Sequence, residues 1–187
     1  MSTTVPFPSF TKTWDNTSYR IVYSLKPSLF AKGKNILIIG GGLGIGAQTA
    51  QSFAEAGASN IAIIGRTEKR LLSKKEHIET LFPSVKIYAL IADVTNKSEV
   101  DATCASCLAK TGKIHILIDN AGYCDVDPLI VDTDPNIWMR SIEVNVRGSL
   151  IAAFASLRSF TSDAVIVNVH RVYSYCEVLF IRCLENG

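Results

Sequence analysis

The chain has 187 residues, 48% of them apolar, which is enough for one domain with a buried core and too apolar for a disordered segment. Nineteen lysines and arginines stand against 17 acidic residues, a net charge of +2 that argues against nucleic acid or an anionic membrane as the partner and favours a small ligand, uncharged or mildly anionic. The five cysteines, Cys104, Cys107, Cys124, Cys176 and Cys183, are odd in number and irregularly spaced, which speaks against a disulfide framework.

Residues 1–33 mix aromatic and polar side chains with three prolines and show no sustained period, so they are expected to form an arm lying against the domain. This arm lacks a basic region followed by an apolar stretch, and no run in the chain approaches the ~18 apolar residues of a membrane span, so a cytoplasmic location is expected. At Lys34 the pattern changes. Asn35 to Ile39 reads as a continuous strand, a glycine cluster follows, and Ala47, Ala50, Phe53 and Ala54 mark one face of a helix ending at Gly57.

The strand and helix unit then recurs. Ile61 to Ile64 is a second strand, Thr67 to Phe82 a charged amphipathic helix stopped before Pro83, and Val85 to Ile91 a third strand. Asn96 with Glu99 three residues on predicts a capping box that opens a helix to about Thr111, closed by Gly112. Within this helix Cys104 and Cys107 form a C-x-x-C, but His77, His115 and His170 show no ligand spacing around it, so buried thiols are expected and no metal site. Ile114 to Ile118 is a fourth strand. Asp134 and Pro135 supply an N-cap and a first-turn proline for a long helix with Ile142, Val146, Leu150 and Phe154 on one stripe, and Ala164 to Val169 is a fifth strand.

Strands that are apolar throughout, alternating with helices, predict an α/β fold: a Rossmann-like, doubly wound parallel sheet of about five strands joined by right-handed crossovers. The expected organisation is an arm over residues 1–33, a dinucleotide-binding domain over 34–169 and an atypical tail over 170–187 without recognisable period.

The glycine-rich run Gly40-Gly41-Gly42-Leu43-Gly44-Ile45-Gly46 lies between the first strand and the first helix. A dinucleotide site needs such a run mechanically: Gly40 for a tight turn, Gly44 for close approach of the backbone to a pyrophosphate, Gly46 for close packing of helix on strand. Amides and dipole at the helix N-terminus then attract the phosphates. At the end of the second strand an acidic residue would select NAD through the ribose 2′-hydroxyl, whereas an arginine accommodates a 2′-phosphate. The strand ends Ile64-Gly65-Arg66, which favours NADP(H) over NAD(H); the alternative is that Arg66 is a solvated charge beside Glu68 and Lys69.

Four motifs in the same order resemble the short-chain dehydrogenase/reductase family. The glycine loop resembles T-G-x-x-x-G-x-G with Ile39 in place of threonine. Asp93-Val94 is similar to the adenine-binding aspartate and its neighbour. Asn120-Ala121-Gly122 resembles N-N-A-G with Asp119 in place of the first asparagine, and Asn145 resembles the asparagine of the catalytic tetrad. The resemblance covers residues 33–169, and Thr11-Lys12-Thr13-Trp14 in the arm is similar to members from filamentous fungi, many of them tailoring enzymes of secondary metabolism.

This resemblance implies that Asp93 accepts from the adenine amino group, Val94 packs the ring, Asn120, Ala121 and Gly122 hold the fourth strand's end against the cofactor, and Asn145 is the catalytic candidate. It further implies hydride transfer to or from an alcohol or carbonyl carbon of a small-molecule substrate, and a homo-oligomer built through the long helix. A Tyr-x-x-x-Lys pair is implied as well, because a tyrosine of pKa ~10 is a useful base near neutrality only beside a lysine. The family's serine pair would fall on His170 and Arg171, and Tyr19, Tyr23, Tyr88, Tyr123, Tyr173 and Tyr175 all lack a lysine four residues on. A C-terminally truncated member with impaired chemistry is therefore expected, or a non-catalytic dinucleotide-binding protein, with the fifth strand left as an apolar edge open to pairing with another chain.

Overall fold

The structure, a computed structural model, describes residues 30–124 and 134–169 and the backbone of residues 178–182. Its centre is β1 (Asn35–Ile39), whose five residues are all buried. A strand with no exposed face has to be covered on both sides. Ile36 and Ile38 pack in one cluster with Ala50, Ala54, Leu71 and Ile78, while Leu37 and Ile39 pack in another with Val100, Cys104, Val144 and Ala152. The two-residue period of the strand thus divides its side chains between two cores, each fully buried isoleucine or leucine contributing about 1.5–3 kcal/mol.

The first core lies under α1 (Gly44–Glu55) and α2 (Glu68–Leu81). The second lies under α3 (Lys97–Thr111) and a long helix made of α4 (Pro135–Ile142), a π-helical turn (Glu143–Gly148) and α5 (Ser149–Leu157). Between the helix layers runs a sheet of β1, β2 (Asn60–Gly65), β3 (Lys86–Ile91), β4 (Ile114–Asp119), β5 (Phe160–Val169) and β6 (Val178–Arg182), in the order β3-β2-β1-β4-β5-β6. β1 to β5 are parallel throughout, so the Rossmann-like doubly wound sheet read from the alternation of strands and helices is the fold. The strand order reverses between β1 and β4, which opens a crevice beyond their carboxyl ends.

The helix starts follow the sequence signals. Asn96 accepts from the backbone N–H groups of Ser98 and Glu99, and Asp134 accepts from that of Asn136 at 2.8 Å. The box at Asn96 closes differently from the standard pattern: Glu99 accepts from the Asn96 side-chain amide at 2.8 Å and from the Asp93 N–H at 2.9 Å.

Three features differ from the sequence reading. β5 begins at Phe160 rather than Ala164, because Thr161, Ser162 and Asp163 interrupt the apolar pattern while a register shift between Ile114 and Ile116 keeps the strand paired. The long helix contains a π-turn for which hydrophobic spacing gives no signal. The expected open edge on β5 is corrected too: β6 pairs with it antiparallel, from Val165↔Arg182 to Val169↔Val178, and takes up its free backbone groups. Val178 to Arg182 is too short an apolar run for periodicity to separate a strand from a loop. The arm up to residue 29, residues 170–177 and residues 183–187 lie outside the described residues.

Candidate nucleotide-binding site

The crevice at the strand ends is assembled by backbone hydrogen bonds between neighbouring exits. The N–H groups of Gly40 and Gly41 both donate to the Ile64 carbonyl, at 2.8 and 3.1 Å, which ties the β1 turn to β2. The Asn120 N–H donates to the Ile39 carbonyl at 3.0 Å, and its side-chain amide reaches the Gly40 carbonyl at 3.3 Å, tying β4 to the same turn. Gly40 has φ +76°, and a Cβ there would stand 2.9 Å from the Ala121 nitrogen, so no other residue fits this turn. Gly46 is required by proximity alone, since its Cβ would lie 2.3 Å from the Gly40 carbonyl oxygen.

These ties leave a cleft of about 250 Å³ between the exits of β1, β2, β3 and β4. Seven of the candidate residues line it: Gly40, Arg66, Asp93, Val94, Asn120, Ala121 and Gly122. Gly44, Ile45 and Gly46 form the first turn of α1, directly after Leu43, which also lines the cleft. At Gly44 nothing lies within 4 Å of where a Cβ would be, so backbone there is open to an approaching ligand. Sequence reasoning did not single out Leu43, Gly65, Ala92 or Val144. Leu43 and Gly65 adjoin named motif residues, and Val144 precedes Asn145 on the π-turn, so adjacency was the available signal.

Arg66 and Asp93 face each other across this cleft at 3.8 Å. Partial burial works against the charge on Asp93. The Thr95 N–H at 2.9 Å and hydroxyl at 2.7 Å, both donating to Oδ1, then Arg66 and Arg140, outweigh that effect and hold the carboxyl below the usual aspartate value. The carboxylate is therefore ready to accept a further hydrogen bond.

Asn145 stands outside the cleft lining. Its Oδ1 accepts from the Tyr123 N–H and its Nδ2 donates to the Tyr123 carbonyl, both at 2.8 Å. Both ends of the amide thus tie the long helix to the loop leaving β4, one residue past Gly122. The helix comes this near because Gly148 has no side chain, a Cβ there falling 2.8 Å from Val94 Cγ2. Arg140, one turn earlier, lies over the Tyr123 ring at 5.0 Å from its centroid.

The arrangement fits a dinucleotide on grounds independent of the motif: a side-chain-free turn at a helix start, open backbone at Gly44, an ionised carboxylate, and a cation at the end of β2. The family profile described as short chain dehydrogenase matches residues 34–178. The chain belongs to this family.

A human short-chain dehydrogenase/reductase 3 is 39% identical over 115 residues, 62% of this chain and 37% of its own length. The chanoclavine-I dehydrogenase ifgE of Penicillium roqueforti (strain FM164) is 29% identical over 147 residues, 74% of this chain and 56% of its own. The solved short-chain type dehydrogenase/reductase from Mycobacterium ulcerans superposes with TM-score 0.71 at 26% identity, over 75% of this chain and 52% of that one. The chain accordingly spans 37% to 56% of the length of these relatives. As a short-chain dehydrogenase it belongs to a family of oxidoreductases that bind NAD(P) and act on small molecules. His170 and Arg171, where the serine pair would fall, lie outside the described residues, and no helix among the described residues is long and apolar enough to cross a membrane.

Proposed function

We propose that this short-chain dehydrogenase binds NADP(H) in preference to NAD(H) and is built for an alcohol or carbonyl substrate of the kind processed in fungal secondary metabolism. The observation that carries the cofactor choice is Arg66. It leaves the end of β2 half exposed, lines the same cleft as Gly40 and Asp93, and stands where an acidic residue would serve NAD. In this reading Gly40 makes the turn, Gly44, Ile45 and Gly46 present the backbone amides of the first turn of α1 to the diphosphate, Arg66 takes the 2′-phosphate, and Asp93 and Val94 hold the adenine. Asn120, Ala121 and Gly122 form the floor, and Asn145 fixes that floor through Tyr123. A bound cofactor of this class supplies or accepts a hydride. The substrate assignment rests on family membership and on relatives such as the chanoclavine-I dehydrogenase. We place the protein in the cytoplasm as a homo-oligomer packed through the stripe of Ile142, Val146, Leu150 and Phe154, each of them exposed in the single chain.

A second reading is favoured by one observation: none of the six tyrosines has a lysine four residues on. In this reading the chain binds cofactor with little turnover, since a phenol is a useful base near neutrality only beside a cation. Fluorescence titration with NADPH and NADH, with Arg66→Asp as control, tests both readings. NADPH is expected to bind more tightly, and the variant to lose about 10- to 100-fold of that affinity, as expected for a lost charge-assisted contact. Equal affinity for the two cofactors refutes the NADP(H) choice. Binding with measurable carbonyl reduction refutes the second reading.

A further inference from the structure

A second cleft, of about 400 Å³, adjoins the first and shares Arg66, Asp93 and Val144 with it, while the long helix contributes Arg140, Glu143 and Arg147. Its three arginines are not equivalent. Arg147 is engaged by the Glu143 carboxylate at 2.9 Å and the Thr95 carbonyl at 3.4 Å, and Arg66 by Asp93 at 3.8 Å. Among the described residues Arg140 has no ion pair, and it is held against the Tyr123 ring.

The NADP(H) reading, on which this inference rests, asks two things of Arg66. It pairs with Asp93 in the free chain and must meet a phosphate in the bound one. A guanidinium that turns to the phosphate leaves Asp93 without its contacting cation just as more negative charge arrives, which disfavours the ionised carboxylate. A second cation fixed in the same cleft removes the conflict.

We propose that Arg140 is a positioning residue for NADP(H) recognition: held over Tyr123 on the long helix, it keeps a positive charge in the cleft with Asp93 when Arg66 leaves that carboxylate for the 2′-phosphate. The two arginines and one carboxylate then act as a relay between the adenine and ribose ends of the cofactor. The other charged groups facing Asp93 are Glu99, whose carboxylate accepts the Asp93 N–H at 2.9 Å, and the Glu143–Arg147 pair on the π-turn. Asp93 already feels Arg140 as well as Arg66 in the free chain. The ring beneath Arg140 fixes the guanidinium beforehand, so little ordering is needed on binding.

The test pairs NADPH and NADH affinities with a carbon-13 titration of the Asp93 carboxyl in the cofactor-free protein, for the unaltered chain, Arg140→Gln, Arg140→Lys and Arg66→Gln. For Arg140→Gln the NADPH affinity is expected to fall about two- to fivefold, the range of a partly exposed ion pair, with NADH nearly unchanged. The Asp93 titration should move upward in the same variant, further when Arg66→Gln is added, and back toward the unaltered value in Arg140→Lys. A purely structural role for Arg140 would lower stability and move neither the cofactor ratio nor the titration. An unchanged NADPH-to-NADH ratio, or an Asp93 titration indifferent to Arg140→Gln, overturns the assignment. An unaltered chain that binds neither cofactor overturns the NADP(H) reading itself, and is told apart by needing no substitution to appear.

Discussion

Replacing Gly46 by alanine isolates the close contact on which the nucleotide turn depends. Alanine gains about 1 kcal/mol over glycine inside a helix, so propensity alone favours the change. The new methyl group would sit 2.3 Å from the Gly40 carbonyl oxygen and 2.7 Å from Asn120 Nδ2. The amide can swing aside, but the carbonyl belongs to the backbone of the β1 exit and must retreat by roughly one ångström to reach ordinary van der Waals distance. Its 3.3 Å hydrogen bond from Asn120 is lost in the process, at a cost of about 1 kcal/mol. With about 1–3 kcal/mol for overpacking, the cost exceeds the gain, and a net loss of about 1–3 kcal/mol is expected. For a domain of this size that lowers Tm by about 2–12 °C, and NADPH affinity should fall with it because the turn has moved. Gly57→Ala is the control. Its φ of +83° strains an alanine by about 1–2 kcal/mol, yet nothing lies within 4 Å of the new methyl and the site is at the other end of α1, so Tm drops while nucleotide affinity holds. A Gly46→Ala protein that melts like the unaltered chain and binds NADPH equally well refutes the reasoning.

Other substitutions address the surrounding structure. Asn145→Ala leaves the Tyr123 N–H and carbonyl without their partner and should cost about 1–3 kcal/mol in thermal melts; Asn145→Asp should fail to restore it, since a carboxylate cannot donate to the carbonyl. Burial pushes the Cys107 thiol up to about 11 and raises Cys104 in the same direction, so at pH 8 iodoacetamide should modify exposed Cys124 long before either; mass spectrometry showing Cys107 labelled as fast as Cys124 contradicts this. The Asp93 carboxyl is depressed in the folded chain, so its contribution is fully present above the unfolded value of about 3.9 and is lost as pH falls through the lower folded value. Asp93→Asn should therefore reduce the acid-side fall of Tm, and an identical fall in both proteins counts against the depressed value. Phe154, 67% exposed in the single chain, is the outermost residue of the α4–α5 stripe; Phe154→Glu should delay elution in size-exclusion chromatography by dissociating an oligomer, and unchanged elution argues against packing through this face.

The fold was legible where one residue type serves one physical need. Continuous apolar runs such as Asn35 to Ile39 have no polar face to offer solvent, so burial between two helix layers follows from the sequence. Asn96 and Asp134 announced helix starts because their side chains accept the amides a helix leaves unpaired. The start of β5 was less legible, since Thr161, Ser162 and Asp163 fall in the irregular stretch between the Ile114↔Phe160 and Ile116↔Val165 pairs, which an apolar pattern does not advertise. β6 escaped for the same reason. Backbone pairing across eight or more intervening residues is decided by the partner's free edge, and Val165 to Val169 supplies that edge without any mark in residues 178 to 182.

The site shows a sharper division. Motif spacing located Gly40, Arg66, Asp93 and Asn120 because the ends of parallel strands bring fixed sequence positions to one crevice. It did not tell which atoms of those residues are already committed. Asn145 was located as a candidate for chemistry, and its oxygen and nitrogen each make one hydrogen bond to the Tyr123 backbone, a tie to the β4 exit that motif spacing does not show. Arg140 and Arg147, seven residues apart on one helix, have the same composition and opposite availability: one is tied to Glu143 a turn away, the other rests on a ring from a different element. The i,i+4 pair is visible in sequence and the ring contact is not, because it depends on Asn145 and Gly148 drawing the helix against Tyr123 and Val94. Whether a charge near a nucleotide site can act on the ligand is therefore settled by what else reaches it, a property of the assembled helix and loop and not of the residue's position in a motif.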